Sequence, residues 1–411
     1  MALATAGCYN PDSDLLQKVE SLGLYKGLRK ALGLSPGEIL DEVARSGLRG
    51  RGGAGFTAAV KWEAALRSPG GPPYLVCNAD EGAPGTFKDR VILEADPHRL
   101  IEGLLIAALA LGSTEAFVYL NHGYALARRR LARVLEQAGA EGLLALPGRA
   151  LKVSIFPAPG SYISGEETAL LETIEGKRGV PRPRPPFPTE SGLHGRPTVV
   201  QNVETLSCLP FIITGGAAAF RRLGTSGSPG TRVFSVSGDL MRPAVVEMPC
   251  GTTLRRVLEA AGAKPLPGRS WKFFLLGGAG GGILPASMDS IPLDFEAPAR
   301  LGLSLGSGAI LAFDDSRSAA RAACQAAAFF AEESCGWCAP CRQGTAMQHA
   351  ILEDMLAGSS RPEDGELLGA VIEALRLGSA CGLGQAASRA VETARRAFPD
   401  EFPAGYGEAD Q

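Results

Sequence analysis

Three cysteines stand together near the carboxyl end of the chain, in the segment Glu333-Ser-Cys335-Gly-Trp-Cys338-Ala-Pro-Cys341-Arg342. Two residues separate each cysteine from the next, so the three thiolates can converge on one centre from a single turn. The backbone N–H groups between them can point at sulfur, which suits a 4Fe–4S cubane. A cubane takes a fourth ligand, and the best distal candidate is Cys381, which is followed by Gly-Leu-Gly.

A structural zinc ion on the same thiolates is the alternative interpretation of this cluster. Zinc sites more often use two separated Cys-x-x-Cys pairs than three cysteines plus one, which favours iron and sulfur. The nine cysteines are too unevenly spread for a disulfide framework in a chain of 411 residues. We expect the solitary ones to be inert and buried: Cys8, Cys77, Cys208, Cys250 and Cys324.

A glycine loop, residues 47–55, holds five glycines in nine residues. Such a backbone can approach a flat ligand or a phosphate closely, and Arg51 and Lys61 could balance phosphate charge. The loop is not a P-loop, because no Gly-Lys-Ser/Thr sequence follows it. A tight turn between two helices is the simpler alternative.

Two short polar segments follow predicted strands: Asn78-Ala-Asp80-Glu81 and Gly165-Glu166-Glu167. Their side chains suit ribityl or ribose hydroxyls and the edge of a flavin ring. Each segment alone is also compatible with a solvated loop. Taken together with the glycine loop, they indicate a nucleotide crevice. The four histidines lie in unrelated contexts and predict no catalytic constellation.

Alternating strands and helices must position these groups. Hydrophobic patterning predicts strands at 74–77, 117–120 and 153–156, and helices at 36–46, 98–112 and 124–138. A linking loop, residues 159–167, follows the third strand. This order predicts an α/β domain with a largely parallel sheet, whose strand ends bind ligands. The Pro-, Arg- and Gly-rich stretch 178–198 predicts an ordered loop or a boundary.

The pattern changes after residue 230. Short strands at 233–237, 244–248 and 273–276, with a helix at 252–262, predict a small α+β domain. From Ser318 to about Phe398 alanine-rich helices flank the cysteines. The predicted domains are a leader at 1–40, the α/β domain at 41–228, the small domain at 229–314 and a helical domain at 315–411.

Charge and hydropathy exclude some classes of partner. The chain carries 41 basic and 43 acidic side chains, a net charge of -2, which gives no reason to expect nucleic acid. No apolar run approaches the roughly 18–20 residues of a membrane span. The amino-terminal residues make a poor signal peptide, so we expect a cytoplasmic protein with no direct membrane insertion.

Seven motifs together resemble the FMN- and NADH-binding subunit of respiratory complex I and the matching diaphorase subunits of NAD-linked formate dehydrogenases and hydrogenases. They follow the family's order from about residue 40 to 390. The matching segments are residues 47–56, 78–81, 84–90, 164–170, 185–188, 202–205 and 333–342.

The resemblance implies a Rossmann-like flavin domain, a small β-grasp (ubiquitin-like) domain and a helical bundle with a 4Fe–4S cluster. It implies hydride transfer from NAD(H) or NADP(H) to FMN, with the nicotinamide near Phe56, Phe187 and Glu167. It implies cluster ligands Cys335, Cys338, Cys341 and Cys381. The flavin and nucleotide residues that it implies are Gly50, Arg51, Gly52, Gly53, Phe56, Lys61, Asn78, Asp80, Glu81, Tyr162, Gly165, Glu166, Glu167, Arg184, Phe187, Val200, Gln201, Asn202 and Thr205.

Electrons then leave to another protein. The resemblance implies a thioredoxin-fold 2Fe–2S subunit and a larger iron–sulfur subunit as partners. It leaves the parent complex, complex I or a formate dehydrogenase or hydrogenase, open. A scaffold that kept the fold and one metal site but lost redox turnover is the alternative from another class, and intact Lys61, Asp80 and Glu167 argue against it.

Some positions depart from the family pattern. The family has glutamate where this chain has Ala83, and lysine where it has Arg184; Gln201 replaces an asparagine. In the family that glutamate lies near the adenosine ribose and disfavours a 2′-phosphate. Losing the carboxylate and keeping a cation favour a phosphorylated ribose. The hypothesis is that NADPH is accepted as well as NADH, or better; the alternative is drift at position 83 with NAD preference kept.

Overall fold

The computed structural model describes residues 25–402. The first part of the predicted leader (residues 1–24) and Cys8 lie outside the described residues. The described part of the leader packs into the main core, where Tyr25, Leu28 and Ile39 are buried with the α/β layer.

The first half of the chain contains an α/β layer. Its strands are β1 (Tyr74–Ala79), β2 (Glu115–Asn121), the short pair β3 (Ala145–Leu146) and β4 (Arg149–Ala150), β5 (Lys152–Ala158) and β6 (Thr198–Asn202). Its helices are α1 (Lys26–Ala31), α2 (Pro36–Ser46), α3 (Ala58–Arg67), α4 (Lys88–Ala95), α5 (Pro97–Leu111), α6 (Ala125–Ala140), α7 (Glu167–Ile174), α8 (Pro188–Ser191), α9 (Val203–Ser207), α10 (Leu209–Gly215) and α11 (Ala217–Arg221).

Four parallel strands of this layer lie in the order β5-β2-β1-β6. In order of appearance this is 3-2-1-4, the Rossmann-type order, whose direction reverses between β1 and β6. Strand β6 was not predicted, because its five residues follow directly on a proline-rich stretch that indicated a loop. Its pairing with β1 therefore creates the reversal point that the sequence analysis did not locate.

Local sequence explains where the helix before the glycine loop begins and ends. The Ser35 hydroxyl accepts the Glu38 N–H while the Glu38 carboxylate accepts the Ser35 N–H, and Pro36 opens the first turn. Gly47, at φ 67°, ends α2 in the left-handed conformation that glycine adopts at least cost. The glycine loop therefore starts at a defined helix end.

The second sheet contains β7 (Thr231–Gly238), β8 (Ala244–Pro249), β9 (Trp271–Leu276), β10 (Ile283–Pro285) and β11 (Ala309–Asp314), with helices α12 (Leu254–Ala260) and α13 (Glu296–Arg300). Its order is β10-β9-β11-β7-β8, with β7 and β8 antiparallel and β11 parallel to β7. A hairpin, a crossing helix and a central parallel pair form the predicted β-grasp arrangement.

The last part of the described chain is helical: α14 (Ala319–Glu333), α15 (Ala339–Ala357), α16 (Asp364–Gly378), α17 (Gly382–Ala386) and α18 (Arg389–Ala397). The fold class is confirmed; the exact domain boundaries stay predictions. Among the described residues, no helix is both long and apolar enough to cross a membrane.

Candidate flavin crevice and cluster site

The reversal point of the first sheet brings two predicted asparagines together. Asn78 on β1 and Asn202 on β6 are paired in register at the carboxyl ends of their strands. Asn202 also caps α9, because its Oδ1 accepts the Glu204 N–H at 2.9 Å. Open α/β sheets bind ligands in the crevice outside such a point.

The glycine loop closes one side of this crevice. The Gly50 N–H donates to the Phe56 carbonyl at 2.8 Å, which folds the loop back on itself. A Cβ on Gly52 would lie 3.1 Å from the Cβ of Asn202, whereas one on Gly53, at φ 142°, would meet open space. The loop thus approaches β6 closely and still leaves room for a ligand beside it.

Arg51 does not place its charge in the crevice. Its guanidinium is fully buried, donates to the Pro229 carbonyl at 2.8 Å and lies 4.0 Å from Glu204. Only its backbone N–H remains near the crevice, bonded to the Thr205 hydroxyl at 2.8 Å. The expectation that this guanidinium balances phosphate charge therefore does not fit the structure, because the side chain turns toward the second sheet.

Asp80 is held at both carboxylate oxygens. Asn121 Nδ2 donates to one at 2.9 Å and Ser164 Oγ to the other at 2.8 Å. Asn78 braces the same corner, accepting the Asp80 N–H at 3.1 Å and donating to the Gly165 carbonyl at 2.9 Å. Burial raises the pKa of Asp80 above its ordinary value, and the two side-chain bonds offset only part of this rise.

The sequence analysis missed Asn121 and Ser164 as partners of Asp80. Asn121 carried a usable signal, since it ends β2 beside β1 in the parallel sheet. Ser164 stands in the linking loop next to the predicted Gly165. Asn121 lies 41 residues and Ser164 lies 84 residues from Asp80 along the chain, so local sequence pattern could not identify these pairings.

The Glu81 side chain is bonded to the protein backbone instead of pointing into an open crevice. Its oxygens accept the backbone N–H groups of Asp89 at 2.9 Å and Arg90 at 2.8 Å, in the first turn of α4. Burial, with the nearby Asp89 carboxylate, raises the pKa of Glu81 to about 8. The two backbone bonds fix Glu81 as a cap of α4.

Four charged side chains form a continuous chain across the crevice. Lys61 Nζ lies 2.6 Å from Glu167 Oε2 and 3.3 Å from the carbonyl of Val200. Arg184 reaches Glu167 at 3.3 Å and also pairs with Glu166. Burial opposes ionisation of Glu167, but Lys61 and Arg184 hold its pKa below the usual value.

Glu166 has a second task besides its ion pair. Its other oxygen accepts the N–H groups of Thr168 and Ala169 at 3.0 and 2.9 Å, so it caps α7. On β6, Gln201 is buried and pairs with Cys77 of β1. Glu166 and Gln201 therefore act by positioning α7 and β6, the elements beside the crevice.

Aromatic side chains mark the mouth and the inner end of the crevice. Phe56 and Phe187 are 56% and 49% exposed, so their rings are accessible for stacking with a planar ligand. Tyr162 instead packs edge-on against Phe329 of α14, and its N–H donates to Glu333 Oε2 at 2.7 Å. The linking loop thus joins the crevice to the helix that precedes the cysteines.

The cysteine segment is shaped by helix starts and glycines. Cys338 immediately precedes α15, Cys341 lies in its first turn, and Cys381 immediately precedes α17. Backbone N–H groups of Leu383 and Gly384 donate toward the Cys381 sulfur. A Cβ on Gly384 would lie 3.0 Å from the Cβ of Cys341, so this glycine lets the distal segment close on the three-cysteine segment.

Cys335, Cys338 and Cys381 all lie near enough to Cys341 to act on its thiol electrostatically, and each raises the pKa of Cys341. Among residues 25–402, however, no three metal-binding side chains are close enough to hold a single ion.

The remaining cysteines of the described chain behave as expected. All four are buried and unbridged: Cys77, Cys208, Cys250 and Cys324.

Comparison with known proteins assigns both regions. Residues 43–210 match the family model described as the Nuo51 FMN-binding domain, and residues 321–405 match the NADH-ubiquinone oxidoreductase-F iron-sulfur binding region.

Whole-length relatives carry matching names. The NADH-quinone oxidoreductase F-subunit 2 of Rhizobium meliloti is 42% identical over 96% of this chain and 95% of its own. The NADP-reducing hydrogenase subunit HndC of Solidesulfovibrio fructosivorans is 36% identical over 98% of this chain and 83% of its own.

A solved structure agrees in fold. In the H2-reduced NAD+-reducing [NiFe]-hydrogenase, one chain superposes with a TM-score of 0.85 at 40% identity over 92% of this chain. This chain spans 64% of that hydrogenase chain. Sequence, fold and cysteine spacing agree, and the chain belongs to the family of F-type subunits of NADH-quinone oxidoreductases and their hydrogenase counterparts.

Proposed function

We propose that this chain binds FMN and a nicotinamide dinucleotide in the crevice outside β1 and β6, and a 4Fe–4S cluster on Cys335, Cys338, Cys341 and Cys381. The family models support both cofactors. Bound flavin supplies the chemistry that accepts a hydride from NADH and releases electrons singly to an iron–sulfur centre. The chain itself supplies binding, orientation and exclusion of water.

One observation carries the proposal. The linking loop touches the crevice through Ser164, bonded to Asp80, and touches the helix before the cysteines through Tyr162, bonded to Glu333. A two-residue step therefore separates the contacts of the two sites. The short step keeps the two regions near each other, and transfer of electrons from a flavin to a cluster requires such proximity.

The crevice residues divide the task. Lys61 supplies the cation for a bound phosphate or ring oxygen, and its bond to the Glu167 carboxylate fixes its position. Asp80, Asn78 and Asn202 offer polar groups for ribityl hydroxyls. Phe56 and Phe187 offer faces for stacking. The backbone of the glycine loop, rather than the guanidinium of Arg51, approaches the ligand.

Nucleotide choice follows from two positions. Ala83 presents no carboxylate, and Arg184 supplies a guanidinium at the crevice that is held by Glu166 and Glu167. A 2′-phosphate would compete with those carboxylates for Arg184. We propose that NADPH is accepted as well as NADH; kcat/KM for both nucleotides tests this, and a large NADH preference would contradict it.

Partners and parent complex belong to the same proposal. Relatives are named as subunits, so electrons are expected to leave to partner subunits. A thioredoxin-fold 2Fe–2S subunit and a larger iron–sulfur subunit are the proposed recipients, in complex I or in a formate dehydrogenase or hydrogenase. The proposed location is the cytoplasm, where the chain meets NAD(P)H.

An anaerobic absorbance spectrum of the purified full chain tests the function. We expect a flavin band over a broad iron–sulfur shoulder, bleached by one equivalent of NADH and, in a second sample, NADPH. A colourless protein, or a flavin that neither nucleotide reduces, would contradict the proposal and favour a scaffold.

A further inference from the structure

We infer that Phe295 and Glu296, in the small β-grasp domain, are positioning residues that hold the glycine loop in its ligand-binding shape. The inference rests on the proposed flavin crevice. It goes beyond that proposal, because no residue between 229 and 314 has been given a role in binding, and neither matched family model covers this stretch.

Arg49 connects the glycine loop to the small domain. Its Nε donates to the Gly55 carbonyl at 2.8 Å, so it ties the beginning of the glycine loop to its end. Its Nη1 donates to Glu296 Oε1 at 2.6 Å. Its guanidinium carbon lies 3.9 Å above the centre of the Phe295 ring, within cation–π range.

Phe295 also touches the loop backbone directly. Gly55 has a φ of 66°, and a Cβ placed there would lie 2.4 Å from the Phe295 ring. Only glycine permits both this conformation and this approach. The ring therefore braces the loop at a position where no other residue type would fit.

Glu296 is itself rigidly held. Its second oxygen accepts the Ser228 hydroxyl at 2.7 Å, and that hydroxyl accepts the Phe295 N–H at 3.1 Å. Burial opposes ionisation, yet the bonds from Ser228 and Arg49 lower the pKa of Glu296. An ionised, fixed carboxylate thus faces Arg49 at neutral pH.

A glycine-rich loop loses more backbone freedom on ordering than any other kind of loop. A loop that is already ordered binds its ligand more tightly, because the cost is met during folding. The Arg49, Phe295 and Glu296 contacts supply this order from outside the crevice. Removing them should weaken flavin binding while the small sheet keeps its core.

The test is FMN binding to the flavin-free full chain, followed by quenching of flavin fluorescence. The variants are Glu296→Gln, Arg49→Gln, their double variant, and Phe295→Leu, which keeps an apolar side chain without the ring face. Arg49 and Glu296 keep 25% and 40% of their side-chain surface exposed. We therefore expect each single variant to raise the FMN dissociation constant about three- to tenfold.

The double variant should bind FMN no more weakly than the weaker-binding of the two single variants, because both changes break the same Arg49–Glu296 bond. The matched control is Asp289→Asn, which breaks the exposed Arg255–Asp289 pair in the same domain and should leave FMN binding unchanged. The rise in Tm on adding FMN should shrink in the Arg49, Phe295 and Glu296 variants, while the Tm of the flavin-free protein stays near wild type.

Unchanged FMN affinity in Glu296→Gln and Phe295→Leu would overturn the inference. Strictly additive effects on FMN affinity in the double variant would also overturn it. A fall in the Tm of the flavin-free variants large enough to explain their whole loss of FMN affinity would do the same. Failure of the wild-type chain to bind FMN would instead contradict the proposed function, so the two failures are distinguishable.

Discussion

The crevice and the cysteine site are built in opposite ways. In the crevice, polar side chains from distant parts of the chain are already bonded to one another, as Asp80 is to Asn121 and Ser164. In the cysteine site the sulfurs bond only to nearby groups: Cys381 receives the N–H groups of Leu383 and Gly384, and Cys341 has only the Ser334 hydroxyl, at 3.3 Å, among the hydrogen bonds to its thiol in the described chain. The crevice is ordered by bonds between distant parts of the protein, whereas we expect the cysteine site to be completed by the cluster that it is proposed to bind.

The protonation of the thiols follows from this difference. Burial raises the pKa of Cys341 to about 11, so the free thiol is the favoured form without metal. Coordination reverses this preference, because a metal-bound thiol is deprotonated. Metal binding should therefore contribute directly to the stability of the helical region.

The largest effect should come from removing a cluster ligand. Cys381→Ala should abolish the iron–sulfur absorbance and EPR signal and lower the Tm of the helical region, while FMN stays bound. Cys324→Ala, which alters a buried cysteine of the same bundle, should retain iron. Full iron content in Cys381→Ala would show that the fourth ligand lies elsewhere.

Loss of a crevice bond should have a smaller effect. Asn121→Ala leaves one oxygen of the buried Asp80 carboxyl unsatisfied, which should cost about 1–3 kcal/mol in free energy of unfolding. FMN affinity should fall as well, with iron content unchanged. Ser207→Ala, which removes a buried hydroxyl bonded to the Val203 carbonyl, is the control for loss of a buried hydrogen bond. If Asn121→Ala matches this control in FMN affinity, the crevice is less dependent on its internal bonds than we infer.

Nucleotide selectivity should respond to a single side chain. Ala83→Glu adds a carboxylate that repels a 2′-phosphate, so the NADH-over-NADPH ratio of kcat/KM should rise about tenfold, the equivalent of about 1.4 kcal/mol. Ala83→Gln has nearly the same size without the charge and should change the ratio much less. Equal shifts in the two variants would attribute selectivity to size rather than charge.

The smallest effect concerns the loop that carries Arg184 and Phe187. Burial opposes ionisation of Glu175, but bonds from Lys177, the His194 N–H and Arg182 lower the pKa of Glu175 to about 2. The stability that this gives is present above the unfolded pKa near 4.5 and is lost as pH falls toward 2. Wild type should exceed Glu175→Gln by at most about 1 kcal/mol at neutral pH, because solvent screens the pairs.

Unfolding in denaturant at several pH values measures this difference. The two proteins should converge as the pH falls toward the folded-state pKa of Glu175, about 2. A constant difference between them at every pH would exclude the ion pairs as its source.

Sequence predicted the local features well and the long-range ones poorly. The glycine loop and six of the eleven strands of the described residues follow from patterns over a few residues, whereas the role of the cysteines as ligands stays a prediction. The direction of the Arg51 side chain did not, because its partner Pro229 is 178 residues away. Strand β6 escaped because its five residues carry too short a pattern, and its identity depends on pairing with β1.

The linking loop also limits how this chain can change. Ser164 and Tyr162 are anchored to opposite sites only two residues apart, so an inserted residue would have to move either the crevice or α14. Surface loops usually accept insertions, but this segment cannot absorb one locally. Its length therefore holds the crevice and α14 at a fixed separation, and we expect an insertion here to be tolerated less well than one in an exposed turn of the described residues.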